Sequence, residues 1–287
     1  MHPSFYMLEK ELIEHKINTR LPLFVALCGL LLFVSLFFSG QAQHDFFFQM
    51  EVNGDVSDIH REFAQDLNSV IYFGAGLISL ILSTLYIPKT LRKERQEGSS
   101  MFWRSMPVSN AMTHGVKLGF GLVVIPALCA LLVLFADFLL WILNISSQQQ
   151  LALLVEQQSL FYVLSNWLVF FGRMMLVALV LLPLATVTLA ISQLVNSPLL
   201  VIFISSYAIK FLSVAVFGFY GINDFLSLIA SLPINVLMAS NPFSAIAEAP
   251  VLSLSIYVLI GVSGYLLSLK LNRTDDVSLK GLSDIFG

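Results

Sequence analysis

Six stretches of the chain are apolar for about the 20 residues of helix that cross ~30 Å of hydrocarbon. They are residues 21–39, 69–87, 118–143, 164–191, 198–219 and 251–269. No period-two alternation runs through them, so a closed barrel is not indicated. Helices are the remaining way to satisfy the backbone in lipid. The pattern predicts an all-α polytopic membrane protein with six transmembrane helices in a single membrane domain, 1–287. Ahead of the first span, residues 4–18 show a helical period. Phe5, Leu8, Leu12 and Lys16 fall on one face beside Ile13 and Ile17, while Glu9, Lys10, Glu11, Glu14 and His15 fall opposite. This predicts a helix lying in the membrane interface, with its charged face in water. A short outer helix is expected near Val56–Leu67.

Residues 220–250 break the pattern. Ile222–Met238 is largely apolar but short, is interrupted by Pro233, and is followed by Asn241-Pro242-Phe243 and Glu248. The expectation is a re-entrant helical hairpin that dips in from the outer face, with its broken backbone covered by protein. The first span is expected to be retained, since its 19-residue run exceeds a signal-peptide core.

Composition agrees with the spans: 57% of the 287 residues are hydrophobic and only 11% charged, against roughly a quarter charged in a soluble domain. The charges that remain set an orientation. Lys10, Lys16, Arg20, Lys89, Arg92, Lys93, Arg95, Arg104, Lys117, Lys270, Arg273 and Lys280, 12 of the 15 basic residues, fall on one side. By the positive-inside bias that side is cytosolic, and both termini are placed there. Cys28 and Cys129 lie in spans and read as packing residues. His44 and His60 stand among carboxylates in the first outer loop without a metal-ligand spacing.

Residues 91–109 concentrate the candidate chemistry. Arg92, Lys93, Arg95 and Arg104 surround Phe102 and Trp103, where burial in lipid is not open to them. Ser99 and Ser100 can cap a helix of one or two turns that Pro107 ends. An exposed Phe, Trp and Arg are residue types enriched at interface hot spots. The other reading is a cationic loop lying on lipid headgroups, with Trp103 as an interfacial anchor. Within the spans, Asp137, Arg173 and Lys210 carry charge, which is costly in hydrocarbon. Asp137 and Arg173 lie at similar depths on neighbouring helices and suit an ion pair, with direct contact to a substrate, or a position in water beyond the span ends, as the alternatives. Lys210 sits near the middle of the fifth span, where snorkelling or a contact within the bundle competes with a ligand role.

Two local patterns resemble the type-2 permease subunits of ATP-binding-cassette exporters. The first is Glu94-Arg95-x-x-Gly98-Ser99, then Phe102-Trp103-x-Ser105-Met106-Pro107-Val108-Ser109, with Lys117 ahead of the third span. The second is Asn241-Pro242-Phe243 with Glu248 before the last span. The chain differs in carrying Phe102-Trp103-Arg104 where many members have leucines, and in an outer loop without a folded domain. The resemblance implies that 91–109 holds a coupling helix, docking a separate nucleotide-binding ATPase through Glu94, Arg95, Gly98, Phe102, Trp103, Arg104 and Pro107. It also implies a second permease half, identical or different, membrane lipid around the assembly, and a bacterial plasma-membrane location. No G-x-x-x-x-G-K-[ST] occurs, so this chain is expected to be no enzyme, with ATP and Mg held by the partner and no cofactor or nucleic acid of its own. The apolar spans favour an amphipathic, lipid-like or peptide cargo. Two rivals remain. One is a non-transporting scaffold or sensor bound to an ATPase. The other is an intramembrane serine protease built on Gly261-Val262-Ser263-Gly264, which would need an intramembrane histidine; all five histidines are expected outside the spans.

Overall fold

The computed structural model describes residues 3–38, 56–96, 108–146, 159–195 and 197–272. Among the described residues all regular structure is helix. In order come α1 (Pro3–Glu14), α2 (Ile17–Phe38), α3 (Val56–Gln96), α4 (Asn110–Gly119), a π-helical turn (Phe120–Val124), α5 (Ile125–Ser146), α6 (Leu160–Leu194), α7 (Pro198–Phe217), α8 (Gly221–Met238), α9 (Pro242–Ala247) and α10 (Val251–Leu271). Seven helical stretches among these residues are long and apolar enough to cross a membrane. They correspond to the six expected runs, several of them extended, and to α8.

Length and composition thus admit α8 as a seventh candidate beside the six expected spans. Gly221–Met238 is one unbroken helix with Pro233 inside it. A proline removes a single N–H and clashes locally, and apolar surroundings that favour internal backbone bonding tolerate it. The short outer helix expected near residue 56 is likewise continuous with the second span, in a 41-residue helix.

The chain divides into two compact units. One comprises Met1–His15, Ile81–Ile125 and Met175–Gly287; the other comprises Lys16–Leu80 and Pro126–Met174.

In the first unit, α6 and α10 approach closely through glycine. A Cβ on Gly261 would lie 2.5 Å from Pro183 Cβ and 2.6 Å from its Cα, and one on Gly264 would lie 3.0 Å from the Val187 backbone. Small residues let helix backbones meet where both surfaces are apolar and no hydrophobic force selects between them. The close approach brings hydrogen bonds with it. Thr186 Oγ1 donates to the Gly261 carbonyl at 2.8 Å, and the Tyr257 hydroxyl to the Val180 carbonyl at 2.9 Å. The G-x-S-G stretch thus contributes its glycines to helix packing, while the Ser263 hydroxyl donates to the carbonyl of Ile260. The π turn follows the same logic. It widens the helix at Phe120–Val124, and Ser83 Oγ donates to the Gly121 carbonyl at 2.7 Å.

The second unit packs α2, the first part of α3, α5 and the first part of α6. Cys129 is buried and Cys28 partly so, and both are free thiols. A groove of about 400 Å³ is walled by apolar and small side chains, among them Ala26, Gly29, Gly74 and Ala75.

Candidate functional site

α1 is held by a buried ion pair. The Lys117 ammonium donates to Glu11 Oε1 at 2.7 Å and to Thr90 Oγ1 at 2.7 Å. The Tyr86 hydroxyl donates to Glu11 Oε2 at 2.7 Å. Lys117 is 1% exposed and Glu11 3%. The four residues come from three helices for local reasons. Tyr86 and Thr90 are one turn apart on α3 and so share a face. Lys117 lies two turns into the continuous helix that α4 begins and the π turn and α5 extend. α4 starts at Asn110 because Ser109 caps it, its hydroxyl accepting from the Met112 N–H at 3.2 Å. The serine of the Pro-Val-Ser pattern therefore sets the register that points Lys117 at Glu11.

This corrects the expected face of α1. Met7 and Glu11 are buried, whereas Phe5, Tyr6 and Ile13 are exposed. The charged side of the period turns partly inward because Lys117 and Tyr86 are there to receive Glu11. A carboxylate with three charge-assisted or hydroxyl partners can be buried; one without them cannot. Burial by itself raises the Glu11 pKa, but the Lys117 charge and the hydrogen bonds from Lys117 and Tyr86, with His15 adding, hold it below the ordinary carboxylate value. His15 closes the cluster, its Nε2 3.5 Å from Glu11 Oε2 and its ring set edge-on to Tyr86 at 4.9 Å. Burial lowers the His15 pKa; Glu11 opposes this, and Lys93, Lys117 and Lys10 reinforce it.

A second buried cluster lies in the same unit. His114 is also corrected: it is fully buried, within a helical stretch apolar enough to span. Its Nδ1 is 2.8 Å from the Asn110 carbonyl, and its Nε2 is 2.9 Å from Ser268 Oγ. A carbonyl can only accept, so Nδ1 carries a proton, and in the neutral ring Ser268 donates to Nε2. Gln193 Nε2 donates to Ser268 Oγ at 2.7 Å and to its carbonyl at 3.1 Å. Ser268 and His114 are each 0% exposed, so this hydroxyl–imidazole pair ties α4, α6 and α10 together with no solvent-facing opening of its own. Arg92 adds a further tie, donating to the Val195 carbonyl at 2.9 Å, just past the end of α6.

The other site residues are distributed as follows. Glu94 and Arg95 lie in the last turn of α3. Gly98, Phe102, Trp103, Arg104 and Pro107 lie outside the described residues. Pro233 is buried in α8. Asn241 caps α9, its side chain accepting from the Phe243 N–H at 3.0 Å with Pro242 in the first turn. Asn-Pro is thus explained as a helix start; Phe243 and Glu248 are exposed beyond it.

In the second unit Asp137 is fully buried and accepts from Asn166 Nδ2 at 2.7 Å. Asn166 is the hub there: its amide also donates to Asn68 Oδ1 at 3.1 Å, and its oxygen accepts from the Tyr72 hydroxyl. Arg173 lies two turns along α6 from Asn166, on the same side of that helix. Lys210 is half-buried on α7.

Sequence reasoning missed Glu11, Tyr86, Thr90 and the burial of Lys117 and His114. The one local signal was the Tyr86/Thr90 spacing at a span end, which puts two hydroxyls on one helix face. No family model matches the chain, and no curated protein or solved structure matches it either.

Proposed function

We propose that the chain is the membrane permease subunit of an ATP-driven exporter, taking its energy from a separate nucleotide-binding ATPase. The observation that carries this reading is the Glu11–Lys117–Thr90–Tyr86 network. Thr90 and Tyr86 lie on the helix that leads into residues 97–107, and Lys117 on the helix that leads out of them. Both are tied to α1 through one buried carboxylate. A push on the basic, aromatic segment between those helices would be passed to α1 and to both spans together. A loop merely resting on headgroups needs no such brace.

In this reading residues 91–109 dock the ATPase through Phe102, Trp103 and Arg104, and a second permease half, identical or different, completes the path. α8 and α9, with Pro233 and the Asn241 cap, form an outer re-entrant hairpin, which keeps six crossings and both termini cytosolic in a bacterial plasma membrane. The cargo is amphipathic, and ATP hydrolysis in the partner closes the two halves. Trp103→Ala combined with Arg104→Glu is expected to abolish co-purification of the ATPase while leaving membrane insertion intact. Unchanged co-purification refutes the docking. An ATPase activity that no candidate amphiphile alters would favour a scaffold role instead.

A further inference from the structure

α7 carries a single lysine on its inward stripe, with no counter-ion for it among the described residues. Of its 20 residues, all are exposed except Pro198, Ile202, Ser206, Lys210, Ser213 and Val214. The spacings of four, four, four and three put these on a single helix face, the one turned toward the rest of its unit. Leu199 and Ile202, on the first turns of the helix, line a small cleft with Ser83, Thr84 and Thr188. Two turns further along the stripe comes Lys210.

Nothing described balances its ammonium. Among the described residues Lys210 makes no ion pair. Its stripe neighbours are neutral and already committed: Ser206 donates to the Phe203 carbonyl at 2.8 Å and Ser213 to the Phe219 carbonyl at 2.6 Å. Asp224, the next carboxylate along the chain, is exposed at the start of α8. Snorkelling does not resolve this. At 1.5 Å per residue, Lys210 is roughly 10 Å from the C-terminal end of α7 and roughly 18 Å from the N-terminal end. A helical side chain leans toward the N-terminus, hence toward the farther end. A charged side chain inside a span, without an ion pair among the described residues, is by default a functional-site candidate.

We propose that Lys210 binds the anionic headgroup, a phosphate or carboxylate, of an amphipathic molecule whose hydrocarbon lies along the apolar faces of α7. A second copy of the helix cannot supply the counter-charge, because it would bring another lysine. The proposal rests on the exporter reading only for describing that molecule as cargo; the binding itself needs no ATPase.

The test uses the full chain, purified in mild detergent and exchanged into phosphatidylcholine nanodiscs with and without a minority of phosphatidylglycerol. Retained molecules are counted by mass spectrometry. Wild type and Lys210→Arg are expected to retain an anionic amphiphile over phosphatidylcholine. Lys210→Gln should retain at least about tenfold less, as loss of a charge-assisted hydrogen bond implies. Ser206→Asp, which supplies an internal counter-ion one turn away, should release the same molecule without removing the lysine. A retained species that survives exchange and is scarce in the bulk lipid extract is cargo; one that phosphatidylglycerol replaces is membrane lipid. Either supports the anion site. Equal retention by wild type and Lys210→Gln, or no preference of wild type for anionic over zwitterionic lipid, overturns it. Failure here leaves co-purification of the ATPase untouched, so the two readings fail separately.

Discussion

Removing either member of the Glu11–Lys117 pair should cost far more than removing both. In Lys117→Met the Glu11 carboxylate, 3% exposed, loses its 2.7 Å cation and keeps the Tyr86 hydroxyl at 2.7 Å. In Glu11→Leu the ammonium, 1% exposed, loses its carboxylate and keeps the neutral Thr90 hydroxyl. Each single change strands a buried charge, a loss of about 3–5 kcal/mol when one partner of a buried pair is deleted. The double variant Glu11→Leu/Lys117→Met strands none and replaces both with apolar groups, so its cost should be within about 1–2 kcal/mol of zero. The coupling free energy from the cycle is then at least about 4 kcal/mol, well beyond the ~0.5 kcal/mol within which distant sites add. Titration with a denaturing detergent, followed by loss of helicity and by gel filtration, gives the three free energies. If each single variant loses less than about 1 kcal/mol, or if the double loses the sum of the two, the pair is not a buried brace and the force path drawn through it fails.

The same cluster predicts a pH profile. Glu11 is depressed in the folded state, so its contribution is full above the unfolded carboxylate value near 4.5 and is lost as pH falls through the lower folded value. His15 is depressed too; the unfolded chain binds its proton more readily, so stability falls as pH drops below about 6.5. Two acid steps are expected, the upper absent in His15→Gln and the lower absent in Glu11→Gln, read from unfolding midpoints between pH 3 and 8. Gly261→Ala must push a Cβ into Pro183, 2.5 Å away, and should cost about 1–3 kcal/mol by overpacking, against a near-neutral Gly74→Ala, whose added Cβ meets nothing within 4 Å. Ser268→Ala leaves His114 Nε2 without its donor and removes the hydroxyl that Gln193 contacts, an expected loss of about 1–3 kcal/mol in the same assay.

Membrane class and helical fold were legible because they are local properties. Run length, the scarcity of charge and the missing alternation are each contained in one window of sequence, and the span centres appear where those windows lie. Pairing was not local. Glu11 and Lys117 are 106 residues apart, and His114 and Ser268 are 154 apart; their types occur at many positions, so nothing in sequence selects the partner. The face of each span was hidden for a different reason. In a soluble helix the apolar stripe names the buried side, but here lipid-facing and protein-facing residues are equally apolar. Phe203 and Ile209 on α7 are exposed while Phe170 and Val177 on α6 are buried, with no compositional difference to tell them apart. The same ambiguity put Glu11 in water and let Pro233 stand as a break in a helix that continues through it. The chain's own residues set which segments are helices that suit a membrane. Only tertiary contact, which decides whether a charge has a partner, fixed which polar side chains could be buried.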